Sequence, residues 1–355
     1  MLEIVGTCDK RIFGLFPAER LRRQLQLADR LRNGEGRTRM GVAASACAVL
    51  DEAALQWLFD NPGQLLMSSG GAPLAVGVRM DEVADARSAL HAGGPGTVAG
   101  GRHFIRKLRR QVEMLAVSLE EAPVGRVERQ LYGNVYKGVT DLVTKYLWPG
   151  PAFHVTRLCA RLGLSPNMVT GVGVLLMFAA AYLFHEGRFG WGLASAWAMT
   201  FLDTVDGKLA RVTATSSQFG NLLDHGTDML HPPLWWWAVT EGLVRLDPGS
   251  AGSLWVSLAI ILTTYVVSRL LEEGFKRQFG FNAFIWERFD SRFRLIVSRR
   301  NTLLLLLTAG LFTGMLSESW LVAAAWSVVS VLVQGWRYLS AWHVSRSGPL
   351  RSWLA

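Results

Sequence analysis

Repeated long apolar runs fill the second half of the chain and constrain its fold more than any other feature. Six of them follow one another along residues 165–340, and several reach the roughly 20 residues that a helix needs to cross a bilayer. The predicted spans are 167–184, 190–210, 219–243, 252–273, 301–316 and 319–338. We therefore predict an α-helical integral membrane domain of six transmembrane helices over residues 165–345.

The loops between these runs differ in basic charge. If the N-terminus is cytoplasmic, the outer loops are 185–189, 244–251 and 317–318. These carry only Arg188 and Arg245, whereas the inner loop 274–300 carries seven lysines and arginines. This asymmetry follows the positive-inside rule. It predicts a multi-pass protein of the inner or cytoplasmic membrane, with its soluble part and its active site on the cytoplasmic side.

Charge and cysteine content narrow the class further. The formal net charge is +9, and the basic residues cluster beside the apolar runs, which favours an anionic membrane surface over nucleic acid. The three cysteines, Cys8, Cys47 and Cys159, suggest no disulfide framework and fit a reducing compartment. No basic segment precedes an apolar core at the start, so we expect no signal peptide.

Residues 1–125 read as a small soluble α/β domain. Helical patterns are predicted at 17–32, 51–58 and 81–90, and strand-like runs at 41–50, 64–67 and 73–78. Residues 126–164 form a connecting stretch. Its apolar positions between Gly125 and Trp148 recur at helical spacing among basic residues. They predict either an amphipathic helix in the membrane interface or a linker helix packed on the soluble domain.

Four carboxylates stand at fixed spacing between Asp203 and Asp228. The sequence reads D-T-V-D-G-K-L-A-R, then eight residues, then G-N-L-L-D-H-G-T-D. At about 100° per residue, small residues and carboxylates fall on two helical stripes. The stripes comprise Asp203, Gly207 and Ala210, and Gly220, Asp224 and Asp228. If the two helices face each other, the carboxylates converge on one pocket.

Four converging carboxylates cannot all stay ionised unless cations neutralise them. Oxygen ligands of this kind suit Mg²⁺ or Mn²⁺, and such ions between carboxylates usually also hold phosphates. Arg211, with its planar fork of donors, suits a phosphate. The stretch therefore predicts a metal-dependent site for a phosphate-containing substrate.

The pattern D-x2-D-G-x2-A-R-x8-G-x3-D-x3-D resembles the signature of the CDP-alcohol phosphotransferases, which make phospholipids. Eight positions match without gap or substitution: Asp203, Asp206, Gly207, Ala210, Arg211, Gly220, Asp224 and Asp228. The resemblance implies transfer of a substituted phosphate from a CDP-alcohol to an acceptor alcohol, with release of CMP. It also implies a homodimer formed through the membrane domain.

Residue roles follow from the same resemblance. It implies that one or two divalent ions, Mg²⁺ or Mn²⁺, bind Asp203, Asp206, Asp224 and Asp228. Asp228 is also the candidate base for the acceptor hydroxyl. The implied nucleotide-site residues are Asn167, Thr170, Gly207, Ala210, Arg211 and Gly220. The donor is left open between a CDP-diacylglycerol type and a CDP-inositol type.

Residues 16–25 resemble the helix that follows the nucleotide loop in a nucleotidyltransferase domain carried by some family relatives. The glycine-rich, basic loop that should precede this helix has no match in residues 6–14. We predict a degenerate nucleotidyltransferase-like domain, structural or regulatory, that makes no CDP-alcohol.

The basic inner loop has two possible functions. It could serve only as a topology signal, or it could form an anion pocket for a phosphorylated acceptor such as inositol phosphate. The candidate acceptor residues are Arg292, Arg294, Arg299 and Arg300. Two other functions stay open. An intramembrane prenyltransferase also uses aspartate clusters and Mg²⁺ with diphosphates, and a membrane scaffold would have no catalysis.

Overall fold

The computed structural model describes residues 2–32, 40–79, 82–92, 96–98, 100–105, 108–216 and 218–354. Within these ranges, the side chains at 29–32, 40, 83–85, 89, 92, 218–219, 221–225 and 228 lie outside the description. The chain forms two compact units. The first comprises Met1–Lys137, Phe153–Pro166 and Asp206–Ser217, and the second comprises Gly138–Ala152, Asn167–Val205 and Gln218–Ala355. The division of the chain into domains at residues 125 and 164, which the sequence predicts, stays a prediction.

In the N-terminal part of the first unit, the described residues form three helices and nine strands. The helices are α1 (Pro17–Arg32), α2 (Glu52–Asp60) and α3 (Val83–Ala92). The strands are β1 (Leu2–Val5), β2 (Met40–Ser45), β3 (Ala48–Leu50), β4 (Leu65–Met67), β5 (Pro73–Arg79), β6 (Thr97–Val98), β7 (Arg102–Ile105), β8 (Arg110–Glu113) and β9 (Ala116–Ser118). This is the α/β architecture that the sequence predicts for residues 1–125.

A five-stranded sheet in the order β1-β2-β5-β4-β6 is the main layer, beside the two-stranded pairs β3-β9 and β7-β8. Helix α2 begins after Asp51, whose carboxylate accepts the Ala54 amide at 2.9 Å, as a good N-cap does. The helix packs closely on β5, because a Cβ added at Gly77 would lie 2.4 Å from the Leu58 carbonyl oxygen.

The cysteine prediction is wrong, because Cys8 and Cys47 form a disulfide with a Cα–Cα distance of 5.2 Å. Strands β1 and β2 pair in parallel, with Val5 opposite Ser45. Each cysteine follows its strand by two or three residues, so both lie at the same end of the sheet. Since the two are 39 positions apart in the chain, only the strand pairing reveals the contact.

The connecting stretch is not the single helix that the spacing predicts from 125 to 148. It forms α4 (Val124–Asn134), a short π-helix (Val143–Leu147) and α5 (Pro149–Arg161). Helix α4 ends where the Asn134 side chain donates to the Asp51 carboxylate at 2.9 Å and to the Glu113 carbonyl at 3.0 Å. Tertiary hydrogen bonds therefore stop a helix that local periodicity would continue.

The rest of the chain is helical. Its helices are α6 (Pro166–His185), α7 (Phe189–Val212), α8 (Gln218–Leu246), α9 (Ala251–Phe279), α10 (Arg288–Phe293), α11 (Arg300–Thr313) and α12 (Leu316–Ser345). Six of the seven cover the six predicted apolar runs, and α10 is a short helix in the inner loop. Helix α6 begins at Pro166, one residue before the predicted span.

In the part of the chain that the structure describes, three segments are long and apolar enough to cross a membrane: Pro166–His185, Pro248–Phe279 and Leu316–Ser345. Only 28–33% of each apolar window is buried inside the structure. Large apolar side chains such as Leu175, Tyr182 and Leu332 are more than 60% exposed. These faces suit lipid, and the chain is a mostly helical, multi-pass membrane protein with a small N-terminal α/β region.

Tryptophans fill the core of the second unit. Trp235 and Trp236 are fully buried, and the Trp235 indole N–H donates to the Met177 carbonyl at 2.9 Å. Trp320 is also buried and donates to the Thr240 hydroxyl. The sequence suggests that the Trp235–Trp237 run sits at the far membrane interface. In the structure only Trp237 of the three is exposed, and the other two are core residues.

Candidate functional site

The motif residues lie on three consecutive helices. Asn167 and Thr170 occupy the first turn of α6, the first half of the motif is the C-terminal end of α7, and the second half opens α8. The backbones of Asp224 and Asp228 belong to α8, and their side chains lie outside the described residues. The structure therefore confirms that the two halves of the motif are helical.

In the first unit, Arg211 folds back along its own helix. Its Nε donates to the Gly207 carbonyl at 2.6 Å. A Cβ added at Gly207 would lie 2.9 Å from Arg211 Nη2, so a side chain there would displace the guanidinium. The glycine of the motif thus leaves room for the side chain of the arginine that follows it by one turn. Asp206, on the same part of α7, is buried at 6% exposure.

Lys208 is a buried residue of the motif that the sequence analysis did not single out. It is 3% exposed, and its Nζ lies 3.7 Å from the centroid of the Tyr136 ring. A lysine ammonium over an aromatic face gains a cation–π attraction that is stronger away from water. The only sequence signal for this contact is the place of Lys208 inside the motif, because Tyr136 is 72 positions away.

In the second unit, Asp203 joins the motif to the start of α11. Arg300 Nη2 donates to Asp203 Oδ2 at 2.6 Å. Arg300 Nη1 lies 3.3 Å from His231 Nε2, and His231 Nδ1 lies 2.6 Å from the Thr227 carbonyl. Because a carbonyl only accepts, Nδ1 carries the proton and Nε2 accepts from Arg300. His231 is therefore a hydrogen-bonding partner of Arg300.

A polar cavity of about 130 Å³ opens beside this ion pair. Four cationic side chains line it: Arg269, Arg294, Arg299 and Arg300. Arg299 is paired with Glu272 of α9, and Arg294 lies over the Phe284 ring with 5.5 Å to its centroid. Hydroxyl and amide groups from α9 and α12 complete the lining, including Ser268 and Gln334, which are hydrogen-bonded to each other at 2.9 Å.

Asp141 and Asn301 form the polar floor of the cavity. Asn301 Nδ2 donates to Asp141 Oδ1 at 2.8 Å, and the Thr144 amide donates to the same oxygen at 3.0 Å. Burial acts to raise the pKa of Asp141, but these hydrogen bonds and the charge of Arg294 hold that pKa below its ordinary value. Asp141 therefore stays ionised against the arginine cluster.

Asn301 presents one acceptor with no protein donor among the described residues. Its Oδ1 is buried and has no hydrogen-bond partner there, although the residue lines the cavity. The assignment of Oδ1 is fixed, because Nδ2 must face the Asp141 carboxylate. A buried carbonyl left without a donor costs about 1–3 kcal/mol, so this position favours a ligand that carries hydroxyl groups.

Three of the four predicted acceptor arginines lie at the cavity, and one does not. Arg294, Arg299 and Arg300 line the cavity, whereas Arg292 is exposed and is not part of the lining. Sequence reasoning missed Arg269, Asp141 and Asn301. Arg269 lies inside an apolar run on α9, where a charged residue is itself a functional signal. Asp141 has no such signal in the sequence, because it lies 160 positions before Asn301, the cavity residue that it contacts.

The motif supplies the donor set that a hard divalent ion prefers. Carboxylate oxygens bind Mg²⁺ and Mn²⁺ well, and the four motif aspartates offer eight such oxygens. Among the described side chains, no three of His, Cys, Asp and Glu cluster closely enough to hold a metal. The chemistry of the donor set fits a divalent ion, and the assignment of Asp203, Asp206, Asp224 and Asp228 as its ligands stays a prediction.

Comparison with known proteins finds the family that the motif resembles. Residues 164–333 match the sequence model of the CDP-alcohol phosphatidyltransferase family. The match covers just under half of the chain. Members of that family are phosphotransferases of phospholipid synthesis that use divalent metal ions.

Two relatives show similarity over part of their length. An archaetidylinositol phosphate synthase of Pyrococcus horikoshii is 32% identical over 120 residues, which cover 33% of this chain and 59% of the relative. A phosphatidylinositol phosphate synthase of Streptomyces avermitilis is 36% identical over 86 residues, which cover 24% of this chain and 33% of the relative. The chain thus spans less than two thirds of either protein.

One solved structure is also similar. It is the phosphatidylinositol phosphate synthase of Mycobacterium tuberculosis with CDP-DAG bound, at 20% identity and a TM-score of 0.42. The match covers 53% of this chain and 92% of that one.

Proposed function

We propose that this protein transfers a substituted phosphate from a membrane CDP-alcohol to a phosphorylated polyol acceptor and releases CMP. The observation that carries the proposal is the polar cavity of the second unit. Its four arginines suit an acceptor phosphate, and the unpartnered Asn301 Oδ1 suits an acceptor hydroxyl. Arg300 links this cavity to Asp203 of the motif at 2.6 Å.

We infer the class of donor from the membrane setting of the chain and from the names of its relatives. Both named relatives are synthases of inositol phospholipid phosphates. A CDP-diacylglycerol type of donor and inositol phosphate as acceptor fit their names, the exposed apolar helices and the arginine cavity together. A CDP-inositol type of donor is the second choice. It is favoured only by the resemblance of residues 16–25 to a nucleotidyltransferase helix.

In the proposed reaction, the acceptor hydroxyl attacks the β-phosphorus of the CDP-alcohol. A new oxygen–phosphorus bond forms, the bond from that phosphorus to the CMP phosphate breaks, and Asp228 accepts the hydroxyl proton. Two divalent ions, Mg²⁺ or Mn²⁺, bound by the motif aspartates would neutralise charge on the donor diphosphate. Gly207, Ala210 and Arg211 with Gly220, Asn167 and Thr170 hold the nucleotide. Much of the rate comes from positioning.

We extend the proposal to the finer architecture. Helices α6, α7, α8, α9, α11 and α12 are proposed as six spans, with the motif ends and the inner loop on the cytoplasmic side. The N-terminal α/β domain is proposed to be degenerate and to make no CDP-alcohol from CTP. A homodimer is proposed from the family resemblance alone.

The test is steady-state kinetics of arginine and asparagine variants with inositol phosphate as the varied acceptor and donor at saturation. Arg294→Ala, Arg299→Ala and Arg300→Ala should each raise the acceptor KM by roughly ten- to a hundredfold, the loss expected for one charge-assisted hydrogen bond. Arg→Lys at the same positions should be only partly tolerated, because lysine lacks the planar fork.

Asn301→Ala should weaken the binding of an acceptor with free hydroxyls, since it removes the carbonyl that has no donor among the described residues. Arg292→Ala is the matched control in the same loop. It should leave the acceptor KM unchanged if the cavity binds the phosphate, and a large effect at Arg292 would restore the wider prediction from sequence. If none of the cavity variants changes acceptor KM or kcat, the loop is only a topology signal and the proposed acceptor site is wrong.

A further inference from the structure

The C-terminal end of the motif helix is completed by a residue from the N-terminal domain. The last four carbonyls of a helix have no partner inside the helix. In α7, the amides of Thr213, Ala214 and Thr215 donate to the three carbonyls before the last one. The last carbonyl, that of Val212, accepts from Arg20 Nε at 2.7 Å. Only this final bond comes from a distant part of the chain, 192 positions earlier.

Arg20 is held rigidly for this contact. It is 3% exposed, and its Nη1 donates to the Leu50 carbonyl at 2.8 Å and to Gln24 Oε1 at 2.9 Å. A buried guanidinium is costly unless its donors are satisfied, so this arrangement tolerates few alternatives. Its positive charge also lies at the negative end of the α7 dipole, where a cation is stabilising.

The loop after β1 is packed against helices instead of being open for a nucleotide. Phe13 is fully buried with a left-handed φ of 47°, and its amide donates to Glu128 Oε1 of α4 at 2.9 Å. A Cβ added at Gly14 would lie 2.7 Å from the Ala160 carbonyl of α5. The Glu128 carboxylate in turn pairs with Arg157 at 2.6 Å. The loop after β1, where a substrate loop would lie, therefore packs against helices α4 and α5.

We propose that Arg20 is a positioning residue for the donor site, through which the N-terminal domain fixes the last turn of the motif helix. Val212 follows Arg211 directly, and Arg211 is bound to the Gly207 carbonyl at 2.6 Å. A shift of the Val212 carbonyl therefore moves both residues that the motif assigns to the nucleotide. The inference rests on the proposed function, and it predicts that donor binding depends on Arg20 while acceptor binding does not.

The test compares the full-length protein with Arg20→Ala, Arg20→Lys and Gln24→Ala. Gln24→Ala is the matched control, because it removes hydrogen bonds from the same cluster and leaves the bond to Val212. Two quantities are measured in detergent with Mg²⁺. The first is the Kd for CMP by calorimetry, and the second is the KM for the CDP-alcohol and for the acceptor in separate series.

We expect Arg20→Ala to weaken CMP binding and raise the donor KM by about tenfold, the effect of one hydrogen bond to a charged group. The acceptor KM should stay within about twofold of the parental value. Arg20→Lys should recover part of the loss, and Gln24→Ala should behave as the parent. This split separates positioning from general destabilisation, which would lower the active fraction and leave each KM unchanged.

If Arg20→Ala does not fold, Arg20→Lys decides the question by the same two readouts. Folded variants at Arg20 with parental CMP affinity and donor KM would overturn the inference while the proposed function stands. Parental protein that neither binds CMP nor releases it from any CDP-alcohol would overturn the proposed function and this inference with it.

Discussion

Gly207 shows how a single residue limits what the motif helix can hold. Its hydrogen atom faces the guanidinium of Arg211, which reaches back to the Gly207 carbonyl. The spacing of the motif predicts that a small residue is needed one turn from a functional side chain. In the structure that side chain is Arg211 of the same helix. From the sequence alone, the group beside Gly207 could be either a ligand or a protein side chain.

Gly207→Ala should therefore impair donor binding without destabilising the protein. Alanine is the better helix former by about 1 kcal/mol, so folding should not suffer. The added Cβ displaces the Arg211 guanidinium, and we expect the donor KM to rise roughly tenfold. Gly335→Ala on α12 is the control, because a Cβ there meets nothing within 4 Å. Equal donor KM values for both variants and the parent would contradict this role of Gly207.

At the scale of single residues, the sequence predicts the site wherever chemistry follows a fixed spacing. The aspartate pattern needs only helical geometry, and three of the four predicted acceptor arginines line one cavity. Asp141 and Asn301 could not be predicted, because their role depends on a contact between positions 160 apart. The same holds for Cys8 and Cys47, which only the parallel pairing of β1 and β2 brings together.

At the scale of elements, the apolar pattern predicts the helices of the second unit within a few residues. It fails in the connecting stretch, where hydrogen bonds from Asn134 end α4 although the periodicity continues. It also does not tell a buried tryptophan from an exposed one, since Trp235 and Trp237 differ only in the face of α8 that they occupy. Helix packing, which local pattern does not encode, decides both cases.

Helix α8 packs against the end of α6 with almost no space at Gly242. A Cβ there would lie 1.9 Å from the Phe184 carbonyl oxygen, which is backbone and cannot turn aside. Gly242→Ala should destabilise the protein by about 1–3 kcal/mol, the usual cost of overpacking. The measurement is the apparent melting temperature of the purified protein in detergent.

The matched control for this packing test is Gly252→Ala, in the first turn of α9. A Cβ at Gly252 meets nothing within 4 Å, so this variant should melt at the parental temperature. A parental melting temperature for Gly242→Ala would show that α6 and α8 are less closely packed than described.

At the scale of the whole molecule, the proposed orientation follows from the distribution of basic residues over the six apolar runs. Two exposed serines test it with nearly isosteric changes. Ser253 lies in the first turn of α9, on the proposed outer side, and Ser347 follows α12 on the proposed inner side. In intact cells or sealed vesicles, a membrane-impermeant thiol reagent should label Ser253→Cys from outside only and Ser347→Cys from inside only. The reverse pattern would invert the topology.

The central claim is metal-dependent transfer from a CDP-alcohol, and CMP release measures it most directly. Purified protein with CDP-diacylglycerol and inositol phosphate should release CMP with Mg²⁺ or Mn²⁺ and stop when EDTA is added. Asp203→Asn and Asp224→Asn should abolish release while remaining folded, whereas the loop variant Asp247→Asn should keep parental activity. CMP should compete with the donor, and a prenyl diphosphate should not. Full activity in EDTA, or full activity of both aspartate variants, would contradict the account.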